Sequence, residues 1–102
     1  MIDLYAMIDS IEGLSDQAKL VLQTILFMSV DYDGIVKKTG FTWGMDFAEY
    51  YFSCSASSLL NALQNLKDHG LIEMEFRLHD NTVAVSLTEK VTEQMAVEKE
   101  AK

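Results

Sequence analysis

Few side chains in this 102-residue chain could carry covalent or metal chemistry. Cys54 is the single cysteine, and with His69 and His79 it falls short of a zinc set, which needs three or four ligands at usable spacing. Asp31 and Asp33 begin like a calcium loop, but Lys37 and Lys38 follow where further acids are required. Neither a glycine-rich phosphate loop nor a nucleophile motif is present. The reading is therefore a non-enzyme without cofactor or metal, with Cys54 a small half-buried residue rather than a reactive thiol. What remains is hydrogen-bonding chemistry. Ser57, Ser58, Asn61, Gln64, Asn65 and Asp68 fall opposite the leucines at 59, 63 and 66 on one helical register. Ser, Asn and Gln can contact base edges, and a carboxamide suits adenine in the major groove. Lys37, Lys38, Lys67, Arg77 and Lys90 are the candidate phosphate contacts. An ordinary solvated helix face would carry the same polar stripe, so both readings stay open.

Charge weighs against the first of them. The net charge is −8, and residues 1–33 hold −5 of it, while 34–71 are neutral. Phosphate neutralisation needs Lys and Arg, so the balance disfavours strong non-specific nucleic-acid binding without excluding a locally compatible face. The longest apolar run, Leu20 to Met28, is interrupted by Gln23 and Thr24 and is too short for a membrane span. Asp3 and Asp9 precede any lysine, unlike a secretory signal. One cysteine forbids an internal disulfide and suits a reducing compartment, so a cytoplasmic protein without membrane attachment is expected.

The elements that must position the polar stripe follow from periodicity. Leu4, Ile8 and Ile11 predict a helix over 2–12, stopped by Gly13. Ser15 and Asp16 offer a cap for a second helix through Ser29, with Ala18, Val21, Leu22, Ile25, Leu26 and Met28 spread over more than one stripe, as in a central helix. Residues 30–44 lack a sustained period; a short strand or a helical turn could sit around 35–38 or 41–43. A short helix over 46–52 is expected to turn Phe47, Ala48, Tyr51 and Phe52 inward. Ser53-Cys54-Ser55 breaks it, Ser55 caps a helix over 56–69, and Gly70 ends that helix. Two helices around a tight polar turn make a helix-turn-helix signature. The period then drops to two. Ile72, Met74, Phe76 and Leu78 alternate with polar residues, Asp80-Asn81 supplies a turn, and Val83, Val85 and Leu87 return. Thr88 can cap a last helix that frays in the polar end.

Aromatic residues concentrate just ahead of the stripe. Phe41, Trp43, Phe47, Tyr50, Tyr51 and Phe52 are six of the ten in the chain. Not all can point inward from so short a segment. Phe41, Trp43 and Tyr50 are the candidate surplus for a protein interface, since aromatics anchor interfaces; a loop folded back over the core is the competing account.

The run ASSLLNALQNLKDHGLIEMEF, a hairpin, then VSLTEK resembles winged-helix regulators of the MarR type, through Leu66, Gly70, Leu71, Ile72, Leu87 and Thr88. The segment LSDQAKLVLQTIL is similar to the first helix of winged helices in phage and plasmid replication proteins. Together these cover roughly residues 14–92. The resemblance implies one α+β domain, a winged helix-turn-helix with about five helices and a C-terminal hairpin wing, with the option of a homodimer through its terminal helices; a monomer whose core is completed by helix 2–12 is the alternative. It implies a transcriptional regulator or replication-associated factor acting on double-stranded DNA. This chain departs from the family in its reading helix, which carries Lys67 alone where DNA readers hold several Arg or Lys. The departure supports an alternative: an acidic winged-helix interaction module, such as a phage-encoded inhibitor or adaptor docking on a host protein complex.

Overall fold

The two longest helices are each opened by a serine. In the computed structural model, which describes residues 8–30 and 36–93, Ser15 is extended and its hydroxyl accepts the Ala18 amide at 3.1 Å, starting α1 (Asp16–Ser29). Ser55 does the same for the Ser58 amide at 3.2 Å, starting α3 (Ala56–Asp68). Between them lie β1 (Gly40–Gly44) and α2 (Met45–Phe52); β2 (Ile72–Arg77) and β3 (Thr82–Leu87) follow. Residues 8–9 and 89–93 are also helical. Most of the helix expected over 2–12, the acids Asp31 and Asp33, and the polar tail lie outside the described residues.

The two helices flanking the turn close in the same way. Ser53 is left-handed (φ 54°), its amide reaching the Tyr50 carbonyl and the Cys54 amide that of Glu49. Gly70 is left-handed (φ 73°), its amide reaching the Lys67 carbonyl and the Leu71 amide that of Leu66. Both are Schellman ends, which satisfy carbonyls that a helix terminus leaves free.

The sheet is antiparallel with order β1-β3-β2. In β1, Phe41 pairs with Val85 and Trp43 with Val83; in β2, Ile72 pairs with Leu87, Met74 with Val85 and Phe76 with Val83. These positions form one face of the pleat, so the sheet lays Phe41, Val83, Val85, Leu87 and Ile72 on the helices. Residues 30–44 are therefore not wholly loop: the Phe41–Trp43 region is a strand, and Val30 bridges Val36. The core is completed by Val21, Leu22, Ile25 and Leu26 of α1 and Leu59, Ala62, Leu63 and Leu66 of α3, all at most 2% exposed. Burying a leucine or isoleucine side chain is worth roughly 1.5–3 kcal/mol, so the α1–α3 contact is a main source of stability.

One inward expectation fails. In α2 only Met45 and Ala48 are buried, Phe52 is half-buried, and Phe47 and Tyr51 are exposed. In the outgoing strand Ile72 is buried and Met74 half-buried, but Phe76 is exposed, and Leu78, also exposed, falls in the turn beyond β2. Thr88 stands at the start of the last helix, its carbonyl accepting the Val91 and Thr92 amides, while its hydroxyl donates to the Gly70 carbonyl at 2.6 Å and to that of Leu71, tying the sheet end to the end of α3. No helix among the described residues is long and apolar enough to cross a membrane.

Candidate nucleic-acid interface

The leucine register of α3 decides what it shows. With Leu59, Leu63 and Leu66 turned inward, Ser57, Ser58, Asn61 and Gln64 are exposed, and Asn65 is half-buried on the flank. The five are not equivalent. Asn65 Oδ1 accepts the Ser15 amide at 2.9 Å, and its Nδ2 donates to the Gly13 carbonyl at 3.4 Å. The carboxamide thus closes the Gly13–Ser15 turn onto α3, which removes Asn65 from the expected set of base contacts. His69 reinforces the clamp. Its Nδ1 lies 2.8 Å from the Asn65 carbonyl, and its ring is so close to Gly13 that a Cβ there would meet Nε2 at 2.6 Å. Gly13 also has φ +90°, so two independent reasons demand glycine.

Gln64 donates to Asp68 Oδ1 at 2.9 Å along the helix. Ser58 accepts the Ser55 hydroxyl at 3.0 Å, and the Ser57 hydroxyl lies 3.4 Å from that of Ser55. Asn61, in the middle of the exposed stripe, makes no side-chain hydrogen bond among the described residues. The N-terminus of α3 is further occupied by Glu49, whose carboxylate accepts the Ala56 amide at 2.8 Å. That anion complements the helix dipole and locks the turn between α2 and α3.

Most of the cations are engaged within the chain. Arg77 Nε sits 2.8 Å from Glu75, and this hydrogen bond raises the guanidinium pKa. Lys90 Nζ donates to the His69 carbonyl at 3.1 Å, at the C-terminal end of α3, and Lys67 Nζ to the Met74 carbonyl at 3.5 Å. Lys38 lies over the Phe41 ring at 5.1 Å, and Lys37 is exposed. These last contacts are surface ones that a phosphate could replace. At the hairpin tip, the Thr82 hydroxyl donates to Asp80 at 2.7 Å and holds that carboxyl below its usual range.

The aromatic segment divides in a way the sequence does not show. Phe41 is buried, which takes it out of the expected interface, and Trp43 is half-buried between Phe41 (centroids 5.5 Å, stacked) and Phe52 (5.4 Å, edge-on). Tyr50 alone of the expected three stands fully in solvent, 84% exposed. Phe47 and Tyr51, unsuspected for the surface, stack at 5.6 Å on the same short helix. Cys54, in the turn, is half-buried. Burial first and the Glu49 charge second raise its pKa, which keeps it a thiol.

The fold occurs in solved proteins of low identity. The structure of reduced AbfR bound to DNA is similar with a TM-score of 0.58 and 18% identity, over 92% of this chain; this chain spans 60% of that one. The N-terminal domain of a DNA binding protein is similar with a TM-score of 0.52 and 20% identity, over 100% of this chain and 85% of that one. No protein-family model and no curated protein matches the sequence. At these identities the likeness establishes a shared fold: an α+β arrangement of helices on a three-stranded antiparallel sheet.

Proposed function

We propose that this chain is a small winged-helix DNA-binding protein, a transcriptional regulator or replication-associated factor. In this reading α3 enters the major groove of double-stranded DNA and the β2–β3 hairpin is the wing. The observation that carries it is the build of α3: rigidly seated by buried leucines and the Asn65 clamp, it presents an open Ser57/Ser58/Asn61/Gln64 face directly after a tight turn. Such a helix is positioned to read base edges. The likeness to a protein solved on DNA supports the reading. Association into a homodimer through the terminal helices belongs to the same proposal, because two-fold pairing would double a weak single contact.

The scarcity of uncommitted cations makes a quantitative demand. Roughly two to four phosphate contacts per subunit correspond to a shallow salt dependence, with a slope of log K on log salt of about −2 to −4 for each bound subunit. Fluorescence anisotropy at low salt, against genomic fragments that include the chain's own upstream region, tests the proposal. Saturable binding with that slope supports it, and no binding to any fragment removes it.

A second reading draws on a different surface. Phe47, Tyr50 and Tyr51 give α2 an exposed aromatic face in a chain of net charge −8, which suits an adaptor or inhibitor that docks on a protein. Under that reading, a pull-down recovers a stoichiometric partner whose capture is lost on Tyr50→Ala.

A further inference from the structure

We infer that sequence discrimination by α3 is concentrated in one side chain, Asn61, and that the base it selects is adenine. The inference rests on the DNA-reading proposal and sharpens it to a single contact. Of the five polar side chains expected to meet bases, four have partners within the chain. Asn65 is held by Gly13 and Ser15, Gln64 by Asp68, and Ser57 and Ser58 lie against the Ser55 cap. A side chain that already holds a partner must give that hydrogen bond up to read a base, so its net gain is small. Asn61 gives up only water. Its carboxamide offers an acceptor and a donor side by side, and adenine alone presents the matching N6 donor and N7 acceptor in the major groove. Its position suits the task. It lies less than one and a half turns beyond Ala56, on the exposed stripe between Ser57 and Gln64, where a helix lying in the groove comes nearest the base edges.

The seat beneath Asn61 is firm. Ala62 and Leu63, the next two residues, are at most 2% exposed, and Asn65 one turn on anchors the helix to the start of α1. A carboxamide on such a support has its reach set by the fold, which is what discrimination between bases requires.

The test begins with selection of a preferred site from a randomised duplex library by the wild-type chain. Affinities are then compared for that site and for variants with each base pair replaced in turn. One A·T position is expected to dominate, with replacement costing about 5- to 150-fold, the range for a bidentate base contact. In Asn61→Ala that position loses its preference, while Asn65→Ala keeps it and instead melts at a lower temperature. Two further measurements do not depend on how the alanine variant folds. Wild-type protein on a site carrying 7-deazaadenine at that position loses affinity, because the N7 acceptor is gone. Asn61→Asp, which can only accept, shifts the preference toward cytosine. Retained adenine preference in Asn61→Ala, or an undiminished affinity for the 7-deazaadenine site, overturns the inference while leaving the DNA-reading proposal intact. Binding without any base preference also overturns the inference alone, and absence of DNA binding by the wild-type chain overturns both.

Discussion

The two helices on either side of the Ser53–Ser55 turn are built on opposite plans. In α3 every leucine at core spacing is buried and the outer stripe is hydroxyl and carboxamide. In α2 two small contacts, Met45 and Ala48, hold the helix down, and three aromatic rings face outward. A helix that buries its apolar side and keeps neutral polar groups outside is stable and selective toward hydrogen-bonding partners. A helix that leaves Phe47, Tyr50 and Tyr51 in solvent contributes less to the core and keeps apolar area in reserve for another surface. The contrast places the two functional readings on two different helices, so they can be separated by substitution.

The largest effect expected from this contrast is on the inner side of α3. Leu63→Ala should destabilise the fold by about 2–5 kcal/mol, measured by denaturant unfolding, because it empties a fully enclosed site. A loss below about 1 kcal/mol would mean that α3 is not the rigid member of the pair. Next is the cap that starts it: Ser55→Ala should cost about 0.5–2 kcal/mol, since the Ser58 amide loses its acceptor. The end of α2 should respond in the opposite direction. Ser53→Gly removes the strain of a left-handed serine and should stabilise by about 0.5–1 kcal/mol in the same measurement. Tyr50→Ala should change stability by less than about 0.5 kcal/mol, because its ring touches little. A larger loss would place Tyr50 in the folded core and undo the contrast.

The smallest effect lies in the turn itself. Cys54 is raised by burial and by Glu49, so in the folded chain the thiolate forms at higher pH than in the unfolded chain. Alkylation of the native protein should therefore rise with pH later than alkylation in denaturant. The stability associated with the protonated thiol is full below the unfolded pKa and is lost as pH rises through the folded one. Coincident alkylation profiles would show that the turn does not enclose Cys54.

Much of α3 was readable because its signals are local. A serine cap, leucines at 59, 63 and 66, and a glycine exit all act within one segment, and the helix begins at the residue they indicate. The same logic succeeds for α1 and for the return strand, where Val83, Val85 and Leu87 alternate inward. It fails at α2, where six of eight residues are aromatic or aliphatic enough to be core and nothing local ranks them. Its left-handed end carries serine where the rule looks for glycine.

By itself, the amino-acid sequence determined the order of helices, the break at Ser53–Ser55, the hairpin turn at Asp80-Asn81, the acidic balance and the polar stripe on α3. These follow from propensity, capping and periodicity, which are properties of neighbours along the chain. Tertiary structure decided the rest. Gly40–Gly44 is a strand because β3 offers it a second edge, and Phe41 is buried because that pairing lays it on the helices. Asn65 is a clamp because the fold brings Gly13 and Ser15, some fifty residues away, within hydrogen-bonding distance. Contacts between distant segments leave no local pattern, and one of them engages Asn65 while the neighbouring Asn61 stays open to solvent.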